Sequence, residues 1–433
     1  MFVSNHINVN EKNHLSIGGC DSLDLAKKFG TPLYVLDEAV IRENCRRYVD
    51  SVNKFYNGNG MILYASKALC AGGVLKIADE EGLGLDVVSG GELYTAHKAG
   101  FPMEKVYFHG NNKSEDELRM ALDFRVGRFV VDNEQELSAL SRLAKEKGKT
   151  ASVLFRIKPG VDAHTHDFIR TGQIDSKFGV ALETGEALAI VKKAVCAENI
   201  AFCGIHCHIG SQIFDLAPFC EAASVMMGFI KEIKTECGAD VRELNLGGGF
   251  GISYTEADDP LPYGTFMEAV SRVIHEEAEK HGVALPFILM EPGRSIIGPA
   301  GVTLYTVGNV KEIPGVRTYV SVDGGMADNP RYILYQAEYD FLNAGAAGSD
   351  KTEVVTVAGK CCESGDLLGE HVAIQSVRPG DILAVMATGA YNYSMASHYN
   401  RLPNPAVVLA DGGAARVIVR RETYEDLVKN DVL

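Results

Sequence analysis

The stretch MILYASKALCAGGVLKIADEEGLGLDVVSG (61–90) sets the reading of the whole chain. MILYAS has the make-up of a buried strand, an amphipathic stretch follows, and LDVVS (85–89) returns to a strand-like run. That succession reads as a strand–helix–strand unit with parallel strands. Six further apolar runs continue it: VYFHG (106–110), RFVVD (128–132), SVLFRIK (152–158), FCGIHCHI (202–209), VRELNLG (241–247) and FILMEPG (287–293). Between them, Ser114 with Glu117 and Asn133 with Glu136 have the spacing of capping boxes. After Asp215, residues Leu216, Phe219, Ala223, Met226, Met227, Ile230 and Ile233 recur at helical spacing and predict one buried face. The paired methionines read as core filler. Eight units predict an α/β fold, a (β/α)8 TIM-type barrel, with an open doubly wound sheet as the rival.

After Arg294 the pattern changes. GVTLYTVGNVKEI, TYVSVDGG, EVVTVAGK, DILAVMATG, AVVLAD and AARVIVRRE are β-rich and separated by turn residues. They predict a C-terminal antiparallel β domain. The first 38 residues, with the strand-like TPLYVLD, are expected to pack with it. The expected division is therefore a barrel over 39–295 and a β domain formed by 1–38 and 296–433.

The whole-chain numbers agree with a two-domain globular protein. The 433 residues are 46% hydrophobic and 23% charged, enough to bury a large core. Forty-two Lys plus Arg against fifty-seven Asp plus Glu give a net charge of −15, which disfavours nucleic acid and anionic membranes as partners. No apolar stretch reaches the length of a membrane span, and the polar start lacks the pattern of a signal peptide. Ten cysteines without paired spacing read as reduced thiols. A cytoplasmic setting is expected.

Chemistry-capable residues gather at the C-terminal ends of the strand runs, the face on which barrels place active sites. They are Tyr64-Ala65-Ser66-Lys67, Ser89-Gly90-Gly91-Glu92, His109-Gly110-Asn111-Asn112-Lys113, His206-Cys207-His208-Ile209-Gly210-Ser211, Gly247-Gly248-Gly249 and Glu291-Pro292-Gly293-Arg294. The glycine run could present amides to an anion or simply turn the chain. Arg294 could grip a phosphate or carboxylate, or pair at the surface. Lys67 in a barrel mouth is a Schiff-base candidate if burial frees its amine. Strand alternation puts His206 and His208 on one face and Cys203 and Cys207 on the other, so these four could not share a metal, and no metal site is expected. In the tail, Cys361-Cys362 in a strand would point to opposite sides.

Seven motifs then occur in one order: Tyr-Ala-x-Lys, His-x-His-Ile-Gly-Ser-Gln, Gly-Gly-Gly, Glu-Pro-Gly-Arg, Asp-Gly-Gly-Met, Cys-Glu-Ser-Gly-Asp and Gly-Ala-Tyr. With them the chain resembles the fold-type III, alanine-racemase-like pyridoxal-phosphate decarboxylases from about residue 30 to residue 410. The resemblance implies pyridoxal 5'-phosphate as cofactor, carried on Lys67. It implies that Glu291 keeps a proton on the ring nitrogen and that His208 stacks on the ring. Ser211, Gly248, Gly249, Pro292, Gly293, Arg294 and Tyr391 would hold the phosphate, with Asp86 and Ser89 as further neighbours.

The substrate implied is meso-2,6-diaminopimelate, yielding L-lysine and CO2. Arg294, Arg331, Tyr335 and Tyr391 match positions that bind its carboxylate and polar groups, and Glu363 the one that reads its distal ammonium. Cys362 would donate the proton that replaces CO2. Cys362 and its neighbours would come from the second subunit of a homodimer. One departure is Tyr332, where the family more often has proline after the arginine. The competing readings are a sister decarboxylase for ornithine, arginine, carboxynorspermidine or a carrier-bound amino acid, a racemase, and a non-catalytic pyridoxal-phosphate binder. Lys113, Lys177 and Asp366 receive no role.

Overall fold

The computed structural model describes residues 7–161 and 177–432. Residues 1–6, 162–176 and 433, which the expected domain limits include, lie outside the described residues. The chain divides into two compact units. One comprises Cys45–Gly251 and Pro260–Gly293; the other comprises the chain up to Asn44, Ile252–Asp259 and everything from Arg294 onward.

The first unit is a closed eight-stranded parallel barrel. Its strands are β1 (Gly60–Ala65), β2 (Gly84–Val87), β3 (Val106–Phe108), β4 (Arg128–Val131), β5 (Ala151–Lys158), β6 (Ile200–His206), β7 (Glu243–Asn245) and β8 (Phe287–Met290). Each pairs with the next, and β8 pairs with β1 through Ile288–Gly60 and Met290–Ile62. That last pairing excludes the open sheet. Leu63, Tyr107, Val130, Leu154, Cys203 and Leu289 form one buried cluster drawn from six of these strands, so it fills the interior. Continuous apolar runs follow from this burial, since a barrel strand has the interior on one side and helices on the other.

The helices end as their sequences predict. Ser114 and Glu117 cap each other at Glu115–Phe124 in a complete box. At Asn133 only half the box forms. The Asn133 side chain accepts from Glu136 N, but the Glu136 carboxylate accepts from Asp132 N and from Lys113 instead. The helix Ala217–Cys237 buries Phe219, Ala223, Met226, Met227, Ile230 and Ile233 along one face.

The second unit is mainly β. Its strands are β9 (Gly301–Ile313), β10 (Arg317–Val322), β11 (Phe341–Asn343), β12 (Glu353–Ala358), β13 (Leu367–Ile374), β14 (Ile382–Val385), β15 (Ala406–Asp411) and β16 (Ala414–Val419). Leu33–Asp37, from TPLYVLD, inserts between β9 and β15. Most pairs are antiparallel, but β10–β12 and the Leu33–Asp37 pair with β15 run parallel, so the sheet is mixed. The short helix Arg331–Tyr335 stands where the sequence shows no helical period.

Candidate active site

The barrel mouth is organised around Glu291, the residue after β8. Its amide donates to Gly247 O (2.8 Å), which ties it to the end of β7. Asn245 Nδ2 donates to Glu291 Oε1 at 2.7 Å. His206 Nε2 lies 3.3 Å from Oε2 and His109 Nε2 lies 2.9 Å from Oε1. The Glu291, His109 and His206 side chains are all buried. Burial alone would raise the Glu291 carboxyl, but the two imidazoles overcome it and hold the group well below the usual carboxylate range. Burial also pushes the His206 imidazole down to about 4, against the pull of Glu291. His206 is therefore neutral near pH 7, and its contact with a carboxylate requires the Nε2–H tautomer. Donors aimed at both oxygens make this a site that fixes an anion.

Asp86, after Leu85 on β2, sits beside this group. His109 Nε2 lies 3.8 Å from Asp86 Oδ1, an atom with no hydrogen-bond partner. Burial raises the Asp86 carboxyl to about 6, with the charge of Glu291 adding and those of His109 and Lys67 opposing. Lys67 occupies the turn after β1. Ser66 Oγ, in the same turn, donates to Glu92 Oε2 (2.8 Å), and Val88 N donates to the same oxygen, so Glu92 fixes this turn to the next strand. Lys67 itself is exposed, which corrects the expectation of a buried amine. The reason is local: a turn at the open end of a barrel has no layer above it within this unit. His208 is half-buried; burial and the nearby charges of Lys67 and Arg156 push its imidazole well below its ordinary value, so it is a neutral ring.

The glycine run has a clear steric cause. A Cβ on Gly248 would lie 2.1 Å from Glu291 O, and one on Gly249 2.4 Å from Gly210 O. Glycine lets the ends of β6, β7 and β8 close together. Gly247 N donates to Asn245 Oδ1 (2.9 Å) and Gly248 N to His208 Nδ1 (3.3 Å). The Gly249 amide has no partner among the described hydrogen bonds, which leaves it open to a ligand. Gly293 likewise lies against Ala65, whose amide donates to Pro292 O.

The β unit holds a separate cluster. Arg294 and Arg331 are both buried, and each donates from Nη1 to the phenolic oxygen of Tyr254, Arg331 at 2.8 Å. Arg331 Nη1 also donates to Tyr339 Oη (3.2 Å). The Tyr391 ring lies under both guanidiniums, 4.8 Å from Arg294 and 5.8 Å from Arg331, and the Tyr335 ring 5.8 Å from Arg331. No carboxylate pairs with Arg331 among the described residues. Tyr332 donates to Glu370 Oε2 (3.0 Å), and Glu370 pairs with Arg317. This anchors the short helix Arg331–Tyr335 to β13.

Cys362 and Glu363 are exposed in a loop between β12 and β13, rather than in a strand as alternation assumed. Asp366 closes the loop: its carboxylate accepts from Met326 N (2.6 Å) and Cys361 N (2.7 Å). Cys362 N donates to Asn400 Oδ1 at 2.7 Å.

Residues 38–298 match the family model described as the pyridoxal binding domain of pyridoxal-dependent decarboxylases. The chain belongs to that family. The diaminopimelate decarboxylase of Bacillus subtilis (strain 168) is 51% identical over 434 residues, covering 100% of this chain and 98% of that protein. The diaminopimelate decarboxylase of Synechocystis sp. is 44% identical, with 98% and 92% covered. A crystal structure of diaminopimelate decarboxylase from M. jannaschii in co-complex with L-lysine superposes with TM-score 0.93 at 37% identity, covering 100% of this chain and 99% of that one.

For a member of this pyridoxal-dependent family, the structure gathers Lys67, Asp86, His208, Gly248, Gly249, Glu291, Pro292 and Gly293 in the barrel unit, with Ser211 just beyond β6. Arg294, Arg331, Tyr335 and Tyr391 gather in the β unit; Cys362 and Glu363 share its exposed loop. Sequence reasoning gave no role to His109, His206 or Asn245, although each ends a strand on the mouth side. It also passed over Tyr254 and Tyr339, which no strand or helix period marks. Alternation misplaced Cys203. A bulge between Phe202 and Gly204 shifts the register, so Cys203 joins the interior cluster despite its odd spacing from His206. Lys113 is a buried structural cation, donating to Gly110 O, Val130 O and Glu136. Lys177 is exposed, with Nζ 5.0 Å from the Phe178 ring centre.

Proposed function

We propose that this protein decarboxylates meso-2,6-diaminopimelate to L-lysine and CO2 with pyridoxal phosphate as cofactor. The buried guanidinium of Arg331, ringed by phenols and lacking a carboxylate partner among the described residues, carries the substrate choice. A buried positive charge that no carboxylate balances is costly, and a carboxylate on the substrate would supply that balance. Ornithine and arginine have only the carboxylate that leaves; diaminopimelate keeps a second.

The residues of the mouth fit the cofactor. Asp86 Oδ1 and His206 Nδ1 are buried without partners, the Gly249 amide is open, and Glu291 is held ionised. When bound, pyridoxal phosphate supplies the electron sink for decarboxylation. Lys67 would hold it covalently through its amine. The Glu291 carboxylate would keep a proton on the ring nitrogen, and the neutral His208 ring would pack against its face. Asp86, Ser211, Gly248, Gly249, Pro292, Gly293, Arg294 and Tyr391 would complete its binding. Arg294, Arg331, Tyr335, Tyr391 and Glu363 would orient the substrate. The Cys362 thiol would deliver a proton to the substrate carbon that loses CO2.

The exposed, well-anchored loop of Cys362 and Glu363 suits donation to a second copy of the chain, and we infer a homodimer with shared sites. None of the ten cysteines is in a disulfide, which supports a reducing, cytoplasmic setting; no helix among the described residues is long and apolar enough to cross a membrane.

The test is CO2 release from meso-diaminopimelate beside ornithine, arginine, carboxynorspermidine and L-lysine. Release from meso-diaminopimelate alone is expected; equal kcat/KM for a substrate without a distal carboxylate would overturn the reading. Dimer sharing is checked separately. Mixing inactive Lys67→Ala chains with inactive Cys362→Ala chains should restore activity, because a hybrid dimer contains one intact site. A verified heterodimer that stays inactive refutes sharing.

A further inference from the structure

We propose that Tyr254 is a positioning residue that bridges Arg294 and Arg331 as a phenolate, and so presets the two guanidiniums as a carboxylate clamp. The inference rests on the proposed reading that these arginines meet the carboxylate of the substrate.

The geometry argues for an anion at this oxygen. Two guanidinium N–H groups, Arg294 Nη1 and Arg331 Nη1, converge on Tyr254 Oη. A neutral phenol also needs an acceptor for its own proton when buried. Among the described hydrogen bonds, Tyr254 Oη donates to nothing. The neighbouring Tyr339, whose ring centre lies 5.3 Å from that of Tyr254, has its Oη engaged with Arg331 and Asn392. The Tyr391 ring offers only its face to the cations.

Electrostatics agree. Burial opposes ionisation of Tyr254, yet the two arginines outweigh it and lower its pKa from the ordinary tyrosine value. Other buried tyrosines in the chain, such as Tyr34, Tyr263 and Tyr305, are pushed the opposite way by burial, with the Asp328 carboxylate adding to it at Tyr34 and Tyr305. Two buried guanidiniums side by side repel each other. A phenolate between them cancels that repulsion and leaves a net charge of about +1, enough for one incoming carboxylate. The segment supplying it is itself anchored: Tyr254 N and Thr255 N both donate to Asp258 Oδ2, at 2.9 and 3.0 Å.

The test uses the holoenzyme and Tyr254→Phe, which keeps the ring and removes the acceptor. The near-ultraviolet difference spectrum, wild type minus variant at neutral pH, should show one phenolate. The KM for meso-diaminopimelate should rise about tenfold or more, as for loss of charge-assisted hydrogen bonds, with kcat much less affected. Inhibition by L-lysine, which retains a carboxylate, should weaken in step. Inhibition by 1,5-diaminopentane, which has none, should not. Absence of the phenolate band, or equal weakening of both inhibitors, overturns the proposal. A phenolate band in a wild-type enzyme that releases no CO2 from meso-diaminopimelate would instead sink the substrate reading and leave the bridge standing. If Tyr254→Phe does not fold, Arg331→Gln removes one donor. Its Tyr254 should reprotonate and lose the same band; a retained band overturns the bridge.

Discussion

Lys67→Ala abolishes decarboxylation, with kcat falling on the order of 10³-fold or more, because the variant loses a positioned amine that no diffusing amine replaces. Lys67 stands at an open barrel end, in a turn whose Ser66 is held by Glu92, so removing its side chain leaves no cavity in the core. The fold should therefore survive. The measurement pairs steady-state CO2 release with the visible absorbance of the holoenzyme and its thermal unfolding. A folded variant that keeps both the wild-type visible band and its activity removes Lys67 from the site.

Glu291→Gln carries the second large effect. The substitution keeps shape and removes charge. It turns an acceptor-only group into one with an NH2, which then faces Asn245 Nδ2 or a histidine N–H, donor against donor. Loss of the negative charge in this buried group should cost roughly 10²–10³ in kcat, the scale of removing one preorganised electrostatic partner. The pH profile adds a check with a definite sign. Glu291 is depressed well below its ordinary value, so it is ionised throughout the neutral and mildly acid range and lost only in strong acid. Asp86 is raised to about 6, so it gains a proton as pH falls through that region. An acid limb near pH 6 should then vanish in Asp86→Asn and remain in Glu291→Gln, moved to lower pH because the Glu291 charge no longer helps to raise Asp86. The reverse pattern would reassign the two carboxylates.

Much of this was legible in the chain. The eight apolar runs announce the barrel because a strand buried on both faces must be apolar at nearly every position. The glycines at 247–249 stand out in the sequence as a cradle or a turn, and the structure adds the reason: backbone atoms 2.1–2.7 Å from a would-be Cβ tolerate nothing larger. Lys67 and Glu291 stand out because strand ends of a parallel barrel share one face, so order along the chain alone puts charged groups together.

What tertiary structure decided lies where neighbours come from distant sequence. The ionised state of Glu291 depends on His109, His206 and Asn245, contributed by three other strands. The bulge that redirects Cys203 breaks the period-two rule and leaves no mark in residue type. Asp366 earns its role only through amides at 326 and 361. Tyr254 is the sharpest case: a lone tyrosine in a loop, whose state is set by arginines 40 and 77 residues away in sequence. Hydrophobic pattern encodes which face is buried, because burial is a property of each residue. Protonation and charge pairing are properties of pairs, and only the folded chain says which pairs meet.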